Sequence, residues 1–277
     1  MISIRSALKT AEKNLIPVSD TPLLDAEILL AHVLNVNRSY LYSHSDDAIS
    51  DEKINAFHIL LEKRIQGEPI AYLTGHHAFW SFDLIVTPDT LIPRSDTECL
   101  VEQALRLLPD DNYIVADLGT GSGAIALAIA SEKPNSTIYA TDKSSKTLHV
   151  AKKNAERLAI KNIVFSEGDW CDALPDMLFD CILSNPPYIA ENDQHLASLT
   201  YEPRSALVSG EDGLNDIRLI VQAAKKHLKP GGLLLLEHGW DQAARVREIF
   251  EQEKYYYIQS FQDVGCHDRV TGGLFYP

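Results

Sequence analysis

Asn185-Pro186-Pro187-Tyr188 brings together the groups needed to hold a planar nitrogen. Two adjacent prolines fix φ and remove two backbone donors. Carbonyl oxygens can then face a ligand without competing N–H groups. The Asn185 side-chain oxygen and the Pro186 carbonyl can each accept from one N–H of an NH2 group, and Tyr188 supplies a flat apolar face beside it. Asn185, Pro186 and Tyr188 are therefore the candidate catalytic residues, and Asn185, Pro186, Pro187 and Tyr188 the candidate substrate clamp. A hydride-transfer enzyme has no use for such an arrangement.

Three further motifs precede this loop. Asp117-Leu118-Gly119-Thr120-Gly121-Ser122-Gly123-Ala124 ends an apolar run and opens a helical one. Glycines there let the backbone turn sharply and approach a ligand closely, and a helix N-terminus favours an anionic group. Gly119, Thr120, Gly121, Ser122 and Gly123 are candidate cofactor contacts. Gly119, Gly121 and Ala124 also satisfy the looser dinucleotide fingerprint, so this motif alone leaves NAD open. Asp142 lies 23 residues beyond Gly119, where a carboxylate can accept from both hydroxyls of a ribose. NAD and S-adenosylmethionine share that ribose, so Asp142 does not separate them. Asp169-Trp170 offers a carboxylate and an aromatic face suited to an adenine. The Asn185 loop follows 66 residues after Gly119.

These motifs need a scaffold that gathers them. From Tyr113 the pattern alternates strand and helix. It predicts strands at Tyr113–Leu118, Thr137–Thr141, Ile163–Glu167, Phe179–Ser184, Leu233–Glu237 and Ile258–Asp263, with a final strand at Val270–Tyr276. Helices are expected at Gly123–Ser131, Ser144–Leu158, Asn215–His227 and Gln242–Glu253, and a turn at Pro230-Gly231-Gly232. Strands alternating with helices imply a mainly parallel sheet covered on both faces, with ligands at the carboxyl edge. Residues 1–75 read as a helical bundle, with apolar residues at helical spacing in Asp25–Leu34 and Asp51–Ile65. Residues 76–90, aromatic and β-branched between Gly75 and Pro88, read as a hairpin linking that bundle to a catalytic domain at 91–277.

The net charge is −14, with −5 carried by residues 1–90 and −9 by 91–277. Neither part has the basic footprint of a nucleic-acid binder, so an adenine-N6 methyltransferase on DNA or RNA is the disfavoured alternative. Cys99, Cys171, Cys181 and Cys266 show no metal-ligand or redox spacing, so no metal is expected and a reducing, cytoplasmic setting is. No stretch is apolar enough for a membrane span. Glu12 and Asp20 interrupt the mildly amphipathic opening around Arg5, Lys9 and Lys13, so neither a secretory signal nor a transit peptide is expected.

Asp117–Gly123 with Asn185–Tyr188 resembles the class I amino methyltransferases that modify adenine, cytosine or glutamine NH2 groups. Glu68–Gly75, Phe79-Trp80, Leu91–Glu98 and Tyr201–Leu207, with Asp25-Ala26-Glu27, narrow the likeness to the HemK/PrmC family over nearly the whole chain. That resemblance implies a class I (Rossmann-like) α/β fold with a seven-stranded, mainly parallel sheet and a small N-terminal helical bundle domain. It implies S-adenosylmethionine as cofactor and methylation of N5 of the glutamine in the Gly-Gly-Gln motif of class-1 peptide chain release factors. Gly119–Gly123, Asp142 and Trp170 match the family's cofactor positions, and Asn185–Tyr188 its amide clamp, with Asn185 also bordering the cofactor. Ser95 stands where the family usually has proline, which is expected to loosen one turn. The bundle and the Phe79–Val86 segment are expected to dock the partner protein, since one tripeptide cannot supply all the recognition.

Overall fold

The computed structural model describes residues 2–110 and 112–277. Its first unit, Met1–His76, is helical because apolar residues recur there every three or four positions. A short strand β1 (Ile2–Ser3) leads into α1 (Ile4–Leu15). Then come α2 (Pro22–Leu34), α3 (Arg38–Ser43), β2 (Ala48–Ile49), α4 (Asp51–Ile65) and α5 (Ile70–Thr74). Ser3, Asn37 and Ser50 cap α1, α3 and α4 by accepting from the backbone N–H three residues on. Leu15, Leu29, Leu30, Phe57 and Leu61 fill the core between the helices. Two carboxylates of α2 are buried and paired: Asp25 with Arg64 at 2.8 Å and Glu27 with Arg38 at 2.5 Å. The Asp25-Ala26-Glu27 triplet is thus a structural tie within this unit. Helix α1 falls within the stretch read as helical, and it buries Ile4, Ala7, Ala11 and Leu15 along one side.

The second unit, His77–Pro277, carries the chemistry. Hairpin strands β3 (His76–Phe79) and β4 (Phe82–Ile85) are followed by a 3-10 turn at Ser95–Thr97 and by α6 (Glu98–Leu107). The hairpin is no free connector. Phe79, Leu84 and Val86 are almost fully buried, and Asn154 bonds both the N–H and the C=O of Ile85. These side chains therefore face the core of this unit.

The alternating elements follow: β5 (Ile114–Leu118), α7 (Ala124–Glu132), β6 (Thr137–Asp142), α8 (Ser145–Arg157), β7 (Ile163–Glu167) and β8 (Phe179–Ser184). The last are α9 (Asn215–Ala224), β9 (Leu228–Glu237), α10 (Ala243–Gln252), β10 (Tyr256–Gln262) and β11 (Asp268–Phe275). Seven strands form one sheet in the order β10-β11-β9-β8-β5-β6-β7. Strands β5 to β9 are parallel, and β10 and β11 are antiparallel additions at one edge. This is the α/β sheet expected from the alternation. Two apolar layers, one on each face, bury most of β5 and β8 and the Leu233–Glu237 end of β9. The Pro230-Gly231-Gly232 segment is not a turn ahead of a strand. It is an irregular start to β9, which already pairs at Leu228.

The chain runs from β5 outward through β6 and β7, then returns to lay β8 on the other side of β5. The switch point between β5 and β8 is where such sheets bind ligands. The glycine loop follows β5 and the Asn185 loop follows β8. The Ser184 hydroxyl donates to the Leu118 carbonyl at 2.7 Å, so the two loops begin side by side.

Candidate active site

The glycine loop is bent by its own sequence. Gly119 has φ of +71° and Gly123 of +88°, conformations that cost an L side chain about 1–2 kcal/mol. Both glycines also make close approaches. A Cβ on Gly123 would meet the Ala151 Cβ at 3.2 Å, and one on Gly119 would stand 3.0 Å from the Trp170 ring. The Thr120 N–H donates to the Thr141 carbonyl at 2.8 Å and the Thr120 hydroxyl to Asp117 at 2.6 Å. Asn154, buried on α8, donates to the Ser122 carbonyl at 2.9 Å. Thr120, Ser122 and Gly123 are therefore the loop's structural side, while Gly119 and Gly121 face a cavity of about 260 Å3.

Asp142, Asp169, Trp170 and Asn185 line the same cavity. The Asp142 carboxylate accepts from the Gly121 N–H at 3.1 Å and the Ser144 N–H at 3.0 Å. Burial raises its pKa, and those two donors pull it back. Each oxygen keeps a second lone-pair site for a ligand hydroxyl. Trp170 is partly buried against the core, and Asp169 is exposed. An acceptor pair at a strand end, a wall without side chains, a helix N-terminus and an indole fit the nucleoside and carboxylate groups of S-adenosylmethionine.

The Asn185 amide nitrogen donates to the Thr97 hydroxyl at 3.1 Å. Among the described residues, no hydrogen bond is made to the Pro186 carbonyl. Both prolines are buried, and Pro187 lines the cavity. Tyr188 opens onto an adjoining groove with His77, Pro93, Arg94 and Asp96. Its carbonyl accepts from Gln242 at 2.9 Å, and its hydroxyl donates to Glu237 at 3.2 Å. Burial pushes the Tyr188 phenol well above its ordinary range.

Several residues that shape the site have no role in the sequence reading. Asp117 lies buried beneath the glycine loop, its pKa pushed up to about 7 by burial. Glu237, the last residue of β9, is also fully buried and pushed up to about 7 by burial. Its strand-end position, like that of Asp142, is the signal that marks it. Glu202 accepts from the Ile92 N–H at 3.1 Å and pairs with Arg94. It thereby fastens the segment Tyr201–Leu207 to Leu91–Glu98. Ser95 opens the 3-10 turn, and the Thr97 N–H still reaches the Arg94 carbonyl at 3.1 Å.

Residues 6–75 match the family described as the PrmC N-terminal domain, and residues 109–271 match a methyltransferase domain. The chain is 47% identical over 271 residues to the release factor glutamine methyltransferase of Coxiella burnetii, with 98% of each chain covered. It is 48% identical over 261 residues to that of Salmonella typhimurium, with 94% of each covered. Among solved structures, a methyltransferase from Pyrococcus furiosus has the same fold, with a TM-score of 0.54 at 18% identity, over 78% of this chain and 98% of that one.

Proposed function

The chain belongs to the family of release factor glutamine methyltransferases, and on that premise we propose that it methylates N5 of the glutamine in the Gly-Gly-Gln motif of class-1 peptide chain release factors. The observation that carries the reading is the Asn185 side chain. Its nitrogen is engaged by Thr97 at 3.1 Å, which leaves its oxygen for a ligand at the edge of the cavity.

S-adenosylmethionine, when bound, supplies an electrophilic methyl carbon with a neutral leaving group. Gly119, Gly121, Asp142, Asp169 and Trp170 would hold it. An amide nitrogen is a poor nucleophile because its lone pair is shared with the carbonyl, so the work left to the chain is orientation. Holding reacting atoms roughly 3 Å apart and in line is worth about 7–11 kcal/mol. The Asn185 oxygen and the Pro186 carbonyl accept the two N–H bonds of the substrate amide and favour positive charge developing on its nitrogen. The Tyr188 ring closes one face. After transfer the methylated nitrogen is strongly acidic and releases its proton to water, so no general base is required beforehand. The groove beside Tyr188 offers a path for the backbone flanking the glutamine. The helical unit is the proposed docking element for the rest of the factor.

The decisive experiment is incubation with a release factor and methyl-labelled cofactor, followed by peptide mass spectrometry. Label on the glutamine of Gly-Gly-Gln is the expected result. Label confined to nucleic acid overturns the proposal.

A further inference from the structure

Tyr188 is gripped at both ends by the connection between β9 and α10. Glu237, the last residue of β9, accepts from its hydroxyl at 3.2 Å. Gln242, where α10 begins, reaches its carbonyl. The Gln242 Nε2 donates to the Tyr188 oxygen at 2.9 Å, and the Gln242 Oε1 accepts from the Gly239 N–H at 2.8 Å. Both partners are main-chain groups, one able only to accept and the other only to donate. They force the orientation of the Gln242 amide, which is buried. A glycine makes room for the bond. Gly213 has φ of +76°, and a Cβ there would collide with the Tyr188 oxygen and stand 2.9 Å from Gln242 Nε2. The other side of the same peptide is fixed too, because the Ile189 N–H donates to the Leu207 carbonyl at 2.9 Å.

We infer, on the reading of the Asn185 loop as an amide clamp, that Gln242 is a positioning residue whose amide locks the Tyr188–Ile189 peptide and so holds the Tyr188 ring and the Pro186 carbonyl in place for the substrate NH2 group. Pro186 and Pro187 bring no backbone N–H with which the clamp could hold its own shape. Their rings fix φ, which leaves few free rotations between Asn185 and Ile189. Thr97 holds one end of the clamp through Asn185 at 3.1 Å. Gln242 holds the other end, and the residues between follow. A carboxylate at position 242 would still accept from Gly239. It would also set an oxygen against the Tyr188 carbonyl, two acceptors with no hydrogen between them. The loop would then move off that contact, and a displacement of about 1 Å costs on the order of 100-fold in rate. Protonated, the same carboxyl accepts with one oxygen and donates with the other, which restores the pattern of the amide.

The ionisable groups on the elements around Gln242 are the Tyr188 phenol on the clamp loop, Glu237 and His238 at the end of β9, and Asp241 beside Gln242. Ahead of α9 stands Asp212, paired with Arg218 of α9 and Arg245 of α10. All are shared by wild type and variants, so their own titration cancels from a ratio of rates.

The test measures kcat for methylation of a release factor at saturating cofactor and substrate, from about pH 6 to about pH 8. The proteins compared are wild type, Gln242→Glu and Gln242→Met. Other residues line the cofactor cavity, so both variants should bind cofactor close to wild type by calorimetry. At the alkaline end each should lose roughly 10–100-fold in kcat. Loss of kcat with cofactor affinity retained separates positioning from a general loosening of the fold. Toward acid the rate of Gln242→Glu relative to wild type should rise, because burial favours the neutral carboxyl. That of Gln242→Met should stay low at every pH. The wild-type kcat in either variant overturns the inference, and so does a Gln242→Glu ratio that stays flat across the range. Should neither variant fold, Gly213→Ala, whose methyl enters the same bond from another segment, overturns it by turning over at the wild-type rate. Wild-type labelling of glutamine separates the two readings: without it the proposed function fails, and with it wild-type rates in the variants defeat only the role of Gln242.

Discussion

The indole of Trp170 lies over Gly119, its Cζ3 atom 3.0 Å from where a Cβ on that glycine would stand. The loop after β7 is thereby pinned to the loop after β5, and both line the cofactor cavity. Gly119→Ala should fail twice over. Its φ of +71° costs about 1–2 kcal/mol for an L residue, and the new methyl pushes the indole out of place. We expect cofactor affinity to fall by about tenfold, the equivalent of 1.4 kcal/mol. Trp170→Ala should weaken binding as well, through loss of the cavity wall. Calorimetry checks both, and unchanged affinity in the two variants would remove this contact from the site.

Asn185→Ala separates chemistry from cofactor binding. The side chain supplies one acceptor of the clamp and touches the edge of the cavity, while Asp142 and the glycine loop carry the rest. By analogy with deleting one oriented polar contact to a transition state, kcat should fall by about 100-fold or more. Cofactor affinity should stay measurable. Single-turnover labelling beside calorimetry reads the two quantities, and near-normal turnover would sink the clamp.

The site was legible in sequence wherever its parts are local. Gly119 to Gly123, Asp142 and the Asn185 loop each sit at the end of a strand whose apolar run can be read directly, and the alternation placed those ends on one edge. Contacts across long separations were not legible. Asn185 meets Thr97 across 88 residues, Tyr188 meets Glu237 across 49, and Glu202 reaches Arg94 across 108. Nothing in local pattern pairs such residues; the order of strands in the sheet does. Helix α6 escaped for another reason. Its apolar face is Cys99, Leu100, Val101 and Ala104, a short stripe directly after a polar turn. The hairpin at His76–Ile85 had the correct strand pattern, but its packing partner Asn154 lies 69 residues further on.

Tyr188→Phe illustrates what the long-range contacts change. The sequence assigns the ring to the clamp, which makes loss of the hydroxyl a mild change. The hydroxyl in fact donates to Glu237, so its removal leaves a buried acceptor without that donor, at a cost of about 1–3 kcal/mol. The same donor favours the ionised carboxyl, so its loss should move the titration of Glu237 further upward. The variant should unfold at lower urea. A wild-type urea midpoint would return Tyr188 to a role played by its ring alone.

Asp117 gives the fold a pH dependence of definite sign. The residue is fully buried, with one oxygen accepting from the Thr120 hydroxyl at 2.6 Å and the Ala126 N–H at 3.2 Å, and the other without a partner. Burial raises its pKa to about 7, and the charge of Asp142 adds to the shift. The folded chain therefore holds a proton that the unfolded chain releases at about 3.9. Its contribution to stability is complete below that value and is lost as pH rises through about 7. Asp117→Asn keeps one acceptor oxygen but does not titrate. Relative to wild type, the variant should gain stability between about pH 5 and about pH 8. Glu237 titrates with the same sign but is present in both proteins, so it cancels from the difference. Urea midpoints of the pair at the two pH values measure that difference directly. An equal gap at both would mean that Asp117 does not change charge in this range.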